Sequence, residues 1–222
     1  MTDHDLTEQS LDNNKILVEP NHLTDTINAS YLQSQLLIAM PDLKDPHFKQ
    51  SVTLICEHNE EGSFGLTINR PSDSSVYDIL KQIPTDLIKT SDGSDHLDTE
   101  LYKSKKVVRG GPVKSDHGFV IHNGAKKWDN TLAITKDLSV TLSKDILLDI
   151  IADKGPEKYL FTLGCASWVK GQIESEFINN SWLNCPIDNT IIFDMPFEKR
   201  WQGAADLLGI NMHTISMESG HD

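Results

Sequence analysis

Three observations predict an α+β fold with a mainly antiparallel or mixed β-sheet. Short stretches with strand-like apolar patterning recur along the chain. Amphipathic segments of helical spacing, with their own start and stop residues, fall between them. The two kinds do not alternate in the regular strand–helix rhythm of a parallel sheet. A length of 222 residues suits one large domain or two small ones. No internal repeat or long linker divides the body, so a single domain is expected, large enough to bury a core without metals or disulfides.

Residues 1 to about 28 are polar and acidic with little apolar periodicity. They are expected to form a disordered acidic extension, leaving 29–222 as the domain. The first strand is placed at "LLIA", closed by Pro41. In "SVTLICEH", Val52, Leu54 and Cys56 alternate with Thr53 and Glu57, and "FGLTINRP" repeats the habit. The polar, glycine-closed "NEEG" between them reads as a hairpin turn. Ser74 or Ser75 then caps a helix carrying Val76, Ile79, Leu80 and Ile83 and stopped by Pro84. The acidic stretch "TDLIKTSDGSDHLDTE" reads as a surface loop.

"KKVVRGGPV", "HGFVIHN", "NTLAIT" and "LSVTLS" follow as short strands. "SKDILLDIIADKGP" is the clearest helix, with Ser143 as its cap, Asp145 near its positive end, and Ile146, Leu147, Ile150 and Ile151 as its buried stripe. "KYLFTLG" reads as a strand and "LGCASWVKGQ" as a strand-to-helix turn. A helix follows with Ile173, Phe177 and Ile178 inward. "TIIFDMP" reads as a strand. Pro196 then opens the last expected helix, closed by Gly209.

Charge and cysteines bound the function. The net charge of −13 repels phosphate backbones and anionic lipids, and the basic stretches "YKSKKVVR" and "GAKKWD" are short. Direct nucleic-acid binding is therefore not expected. No apolar run approaches the roughly 20 residues of a membrane helix, and the N-terminus lacks the pattern of a secretory signal. A cytoplasmic protein is expected. Cys56, Cys165 and Cys185 are widely spaced, and no Cys/His group has zinc spacing. No metal and no cofactor is expected.

The densest candidate chemistry lies in "RGGPVKSDHGFVIH". Gly110 and Gly111 either cradle an anion beside Arg109, His117 and His122 or mark a bulged hairpin whose turn is "KSDHG". The motif is neither GxGxxG nor GxxxxGK[ST], so the architectural reading is preferred. His117 and His122, five apart, fall on opposite faces of a regular strand. Cys56 and His58, two apart, share a face, and Cys56 continues an apolar stripe. Cys165, just before a helix start, is the candidate reactive thiol. Glu60, Glu61, Glu174 and Glu176 form no paired-carboxylate motif and are expected to be solvated.

Several motifs agree in order with a known family. "LLIAMPDLKDPHFKQSVTLICEHNEEGSFGLTINRP" is followed by "GGPV", "GFVIH", "SKDIL", "LGCASWVKGQIESE", "NSWL", "RW" and a closing "GHD". From about Leu36 onward the chain resembles the YqgE/AlgH family of small bacterial cytosolic proteins. The resemblance implies a branched sheet with a small barrel-like part and helices packed outside. It implies no established activity, although one branch of the family carries a transcriptional-regulator label. Two departures stand out: Cys165 replaces the usual tyrosine, and the extension before Leu36 is longer than most. The expected function is a non-enzymatic binding or regulatory module acting through a protein partner or a small ligand. The alternative is a small-ligand or nucleotide-handling enzyme of hydrolase or thiol type.

Overall fold

The computed structural model describes residues 32–84, 99–124 and 126–218; the expected 1–28 extension lies outside them. Strands β1 (Gln35–Ala39), β2 (Val52–Asn59) and β3 (Gly62–Thr67) form an antiparallel meander. The β2–β3 hairpin and its "NEEG" turn stand where the alternation put them. Both faces of β2 are covered, however. Leu54 and Cys56 enter one core cluster and Ile55 another.

The chain then runs through β4 (Pro71–Ser75), α1 (Val76–Leu80), α2 (Thr99–Ser104), β5 (Lys106–Arg109), β6 (Val113–Asn123), β7 (Thr131–Ala133), β8 (Leu138–Thr141) and α3 (Asp145–Ile151). It continues through β9 (Tyr159–Val169), α4 (Gln172–Ile178), β10 (Trp182–Pro186), α5 (Arg200–Asp206) and α6 (Met212–Glu218). The main strand order is β10-β1-β2-β3-β9-β6-β8-β7, with β4 and β5 branching off β9. All pairings are antiparallel except β5 with β9. The molecule is α+β, a single domain with a curled, branched sheet and helices around it.

β9 is the joint of this sheet. Along one edge it pairs first with β5, at Thr162 and Leu163, and then with β3, from Ala166 to Val169. Its other edge pairs with β6. The side chains of β9 feed all three core clusters: Leu160 and Cys165 the first, Phe161 the second, Ala166 and Trp168 the third. Fully burying a large aliphatic side chain stabilises by about 1.5–3 kcal/mol, so a strand shared by three clusters couples them energetically.

Several expected elements differ, each for a local reason. Ser75 does cap α1: its hydroxyl accepts from the Asp78 amide, and the Asp78 carboxylate accepts from the Ser75 amide at 2.8 Å. Ser143 does not cap α3; its hydroxyl donates to the Asp145 carboxylate instead. "TIIFDMP" is a π-helical turn, Thr190–Asp194, not a strand. Asp188 Oδ1 accepts from the amides of Thr190 and Ile191 at 2.7 and 3.2 Å and turns the chain there. The missing strand is supplied by β10, paired along all of β1. Thr99 and Glu100, read as loop, begin α2. Ile178 is not inward but 74% exposed. Pro196 and Gly209 bound the α5 region as expected, with Gly209 in the left-handed conformation.

Candidate functional site

The "GGP" stretch is a crossover, not a hairpin. β5 and β6 lie on opposite edges of β9, so Gly110, Gly111 and Pro112 carry the chain across it. The crossing is tight. A methyl group on Gly110 would stand 2.3 Å from the Gly164 carbonyl oxygen, and one on Gly111 would stand 2.2 Å from the Cys165 carbonyl carbon. Gly164 itself has φ +73. The Gly110 amide donates to the Leu163 carbonyl, and the Gly110 carbonyl accepts from the Thr67 amide, both at 2.8 Å. This residue therefore stitches β3 and β5 to β9 and has no amide left for an anion.

"KSDHG" is likewise not a turn. β6 continues through it, pairing Val113 with Cys165 and Gly118 with Leu163. Five steps on β6 thus match two on β9, a wide bulge that leaves residues 114–117 exposed.

The other candidates scatter. Arg109 is exposed at the end of β5. His117 is exposed and pairs with Asp116 at 2.9 Å. His122 is buried, with Nε2 2.9 Å from Thr141 Oγ1 and its ring edge-on to Trp128. Burial pulls its pKa below the usual imidazole range, against the opposing pull of the Asn123 carbonyl. The structure brings Gly111 against Cys165 but does not gather these residues into one site.

Cys165 sits inside β9, seven residues before α4 begins, so no helix terminus acts on it. It is buried beside the main core, and burial raises its pKa, with only Lys114 opposing. Cys56 and Cys185 are buried too, and desolvation raises both, Cys185 to about 11. None has the electropositive, accessible surroundings of a reactive thiolate.

A polar centre that the sequence pattern hid lies under α4. The β2–β3 register shifts between Ile55 and Glu57. That bulge separates Cys56, which faces the main core, from His58, which turns toward α4. His58 Nδ1 is 2.7 Å from Ser63 Oγ, and its Nε2 is 3.4 Å from Glu174 Oε1. Ser, His and Glu in series have the connectivity of a nucleophile–base–acid relay. The surroundings do not complete it. Ser63 is buried in β3, whose two edges are covered by β2 and β9, so its amides face no open space for an oxyanion.

Beside this trio, Glu176 Oε2 accepts the indole N–H of both Trp168, at 2.9 Å, and Trp182, at 2.7 Å. Gln172 donates to its other oxygen. Glu174 and Glu176, expected to be solvated, instead clamp α4 to the sheet.

A larger concavity than any beside these residues lies elsewhere among the described residues. A cleft of about 590 Å³ opens between α1, α3 and the β6–β8–β9 part of the sheet. Phe119, Val120 and Phe161 form its floor and are nearly fully buried. Ile79, Ile83, Leu147, Leu148 and Leu163 wall it and are half-buried, and Leu142 on its rim is 46% exposed. The helical spacing of Ile79, Ile83 and Leu147 had read simply as core. Ile79 and Leu147 sit one position around their helices from the sealed Leu80 and Ile146, Ile83 lies in the bend after α1, and which of them face a gap is set by the sheet beneath.

Comparison with known proteins agrees with the motifs. A family model described as AlgH-like matches residues 36–213. A UPF0301 protein of Methylococcus capsulatus is 42% identical over 193 residues, covering 87% of this chain and 97% of the relative. One of Pseudomonas putida is 44% identical over 196 residues, covering 88% and 98%. The solution structure of AlgH from Pseudomonas aeruginosa superposes with a TM-score of 0.68 at 40% identity, over 86% of this chain and 96% of that one. A crystal structure of a Corynebacterium diphtheriae protein, 21% identical with a TM-score of 0.59 over 78% and 84%, shares the fold. On the sequence match and the shared branched sheet, this chain belongs to the AlgH-like family.

Proposed function

We propose that this protein is a non-enzymatic binding module whose cleft between α1 and α3 takes a small, largely apolar molecule. The observation that carries the reading is the convergence of half-buried aliphatic side chains from three elements on one cavity of about 590 Å³. That size falls among small-molecule sites, and half-exposed aliphatics clustered around a cavity on the flank of the second core cluster mark a surface built to be covered. Three buried free cysteines fit a reducing, cytoplasmic setting, and no helix among the described residues is long and apolar enough to cross a membrane. A regulatory role would pass through the ligand or a protein partner, because a net charge of −13 opposes direct contact with nucleic acid.

The test is a fluorescence titration with N-phenyl-1-naphthylamine, a neutral apolar probe that brightens when it leaves water. Saturable enhancement is expected in the full chain and should be lost in Leu147→Gln and Ile83→Gln variants that keep the parent's melting temperature. Absence of enhancement, or enhancement unchanged in both variants, would overturn the reading.

A further inference from the structure

Resting on that reading of the cleft, we infer that its ligand is an anionic amphiphile: an alkyl or aryl carboxylate whose apolar body lies on the aliphatic walls and whose head group meets Lys144. The argument is an inventory of the polar groups that line the cavity. Thr141 Oγ1 is engaged by His122 Nε2 at 2.9 Å and by Thr131 Oγ1 at 2.7 Å. Ser143 donates to Asp145. Thr162 donates to the Phe119 carbonyl at 3.4 Å. The Gln82 amide donates to the Asp78 carbonyl at 2.8 Å. Asp116, the one acid on the lining, is hydrogen-bonded to His117 at 2.9 Å, and its carboxylate is 85% exposed, where water screens its charge.

The remaining charged group is Lys144, on the exposed rim beside Leu147 and Leu148. It is the one basic side chain on the lining, and its ammonium has no ion pair among the described residues. A cation beside an apolar wall selects by sign as well as by hydrophobicity. A neutral amphiphile would gain the wall but not the lysine. A cationic one would be repelled.

The specificity is one of pairing without covalent chemistry. A carboxylate oxygen accepts from Lys144 Nζ at the mouth while the chain displaces water from the walls below. Lengthening the chain by one methylene should tighten binding about fourfold until the cleft is full.

The experiment is displacement of N-phenyl-1-naphthylamine from the full chain by octanoate, decanoate, decanol and decylamine. Decanoate is expected to displace the probe at about one-fifth of the decanol concentration, the upper end of what a rim ion pair contributes. Decylamine should be weakest and octanoate weaker than decanoate. Lys144→Met should bring decanoate and decanol level, and Lys144→Arg should keep them apart. Both variants change an exposed side chain, so their melting temperatures should match the parent's.

If the probe binds but decanoate and decanol displace it equally, or Lys144→Met leaves their ratio unchanged, the head-group assignment falls while the cleft stands. If the probe does not bind at all, the cleft reading falls with it. Sedimentation with anionic phospholipid vesicles, without displacement by monomeric decanoate, would assign the lysine to a bilayer surface and overturn the proposal.

Discussion

A methyl group on Gly111 would meet the Cys165 backbone at 2.2 Å, and neither strand has room to move without breaking the ladder on the far side of β9. Gly111→Ala should therefore lose roughly 2–3 kcal/mol in urea denaturation. Gly118→Ala, where the added carbon meets only a Leu163 methyl at 4.0 Å, should stay within about 0.5 kcal/mol of the parent. Equal losses would mean that the crossing is looser than its geometry. The cysteines make a second residue-level case. With all three thiols buried and raised in pKa, a disulfide reagent should label none of them rapidly until urea unfolds the chain. Fast native labelling of Cys165 would restore the thiol reading of its position.

His122 supplies a pH dependence with a definite sign. Its folded-state pKa lies below the unfolded one because burial disfavours the charged ring. The unfolded chain then binds more protons, so this contribution to stability is present above the unfolded pKa and is lost as pH falls toward the folded one. The stability advantage of the parent over His122→Gln should narrow between about pH 7.5 and about pH 5.5. A constant gap would show that His122 is not held neutral by its surroundings.

At the scale of elements, the Glu176 carboxylate ties α4 to two strands of the sheet. Trp168 on β9 and Trp182 on β10 both donate to Glu176, so removing that carboxylate would leave both buried indole N–H groups without their partner. Glu176→Ala should cost about 3 kcal/mol, Glu176→Gln about 1, with the near-ultraviolet dichroism of the indoles changing in the first. This clamp also shows why the sequence was readable in places only. Apolar alternation found β2, β3 and the hairpin between them because that pattern is local. It also led "TIIF" to be read as a strand, where Asp188 pulls the backbone into a turn. It missed β10, whose "WLNCP" shows no alternation, because the strand is set by its partner β1. Spacing rules placed His58 beside Cys56, and a bulge visible only in the β2–β3 register sends it to Glu174 instead. Glycines at 110 and 111 announced a close approach correctly, but what they approach, Gly164 and Cys165, lies more than fifty residues along the chain.

For the molecule as a whole, the consequence of the branch at β9 is cooperativity. Each core cluster contains its own tryptophan: Trp201 in the first, Trp128 in the second, Trp168 and Trp182 in the third. β9 contributes side chains to all three clusters and pairs with β3, β5 and β6. No cluster can lose its packing without pulling on a strand that the other two share. Three variants retaining only Trp201, only Trp128, or the Trp168–Trp182 pair, with phenylalanine elsewhere, would report on the clusters separately. After each is normalised to its own dichroism transition, the fluorescence and dichroism midpoints in urea should coincide in all three. A lower fluorescence midpoint in the Trp128 variant alone would show that the second cluster, which supplies the floor of the cleft through Val120 and Phe161, opens before the rest. The branch would then be a hinge, and the cleft would belong to a separately unfolding unit rather than to the rigid body that the shared strand implies.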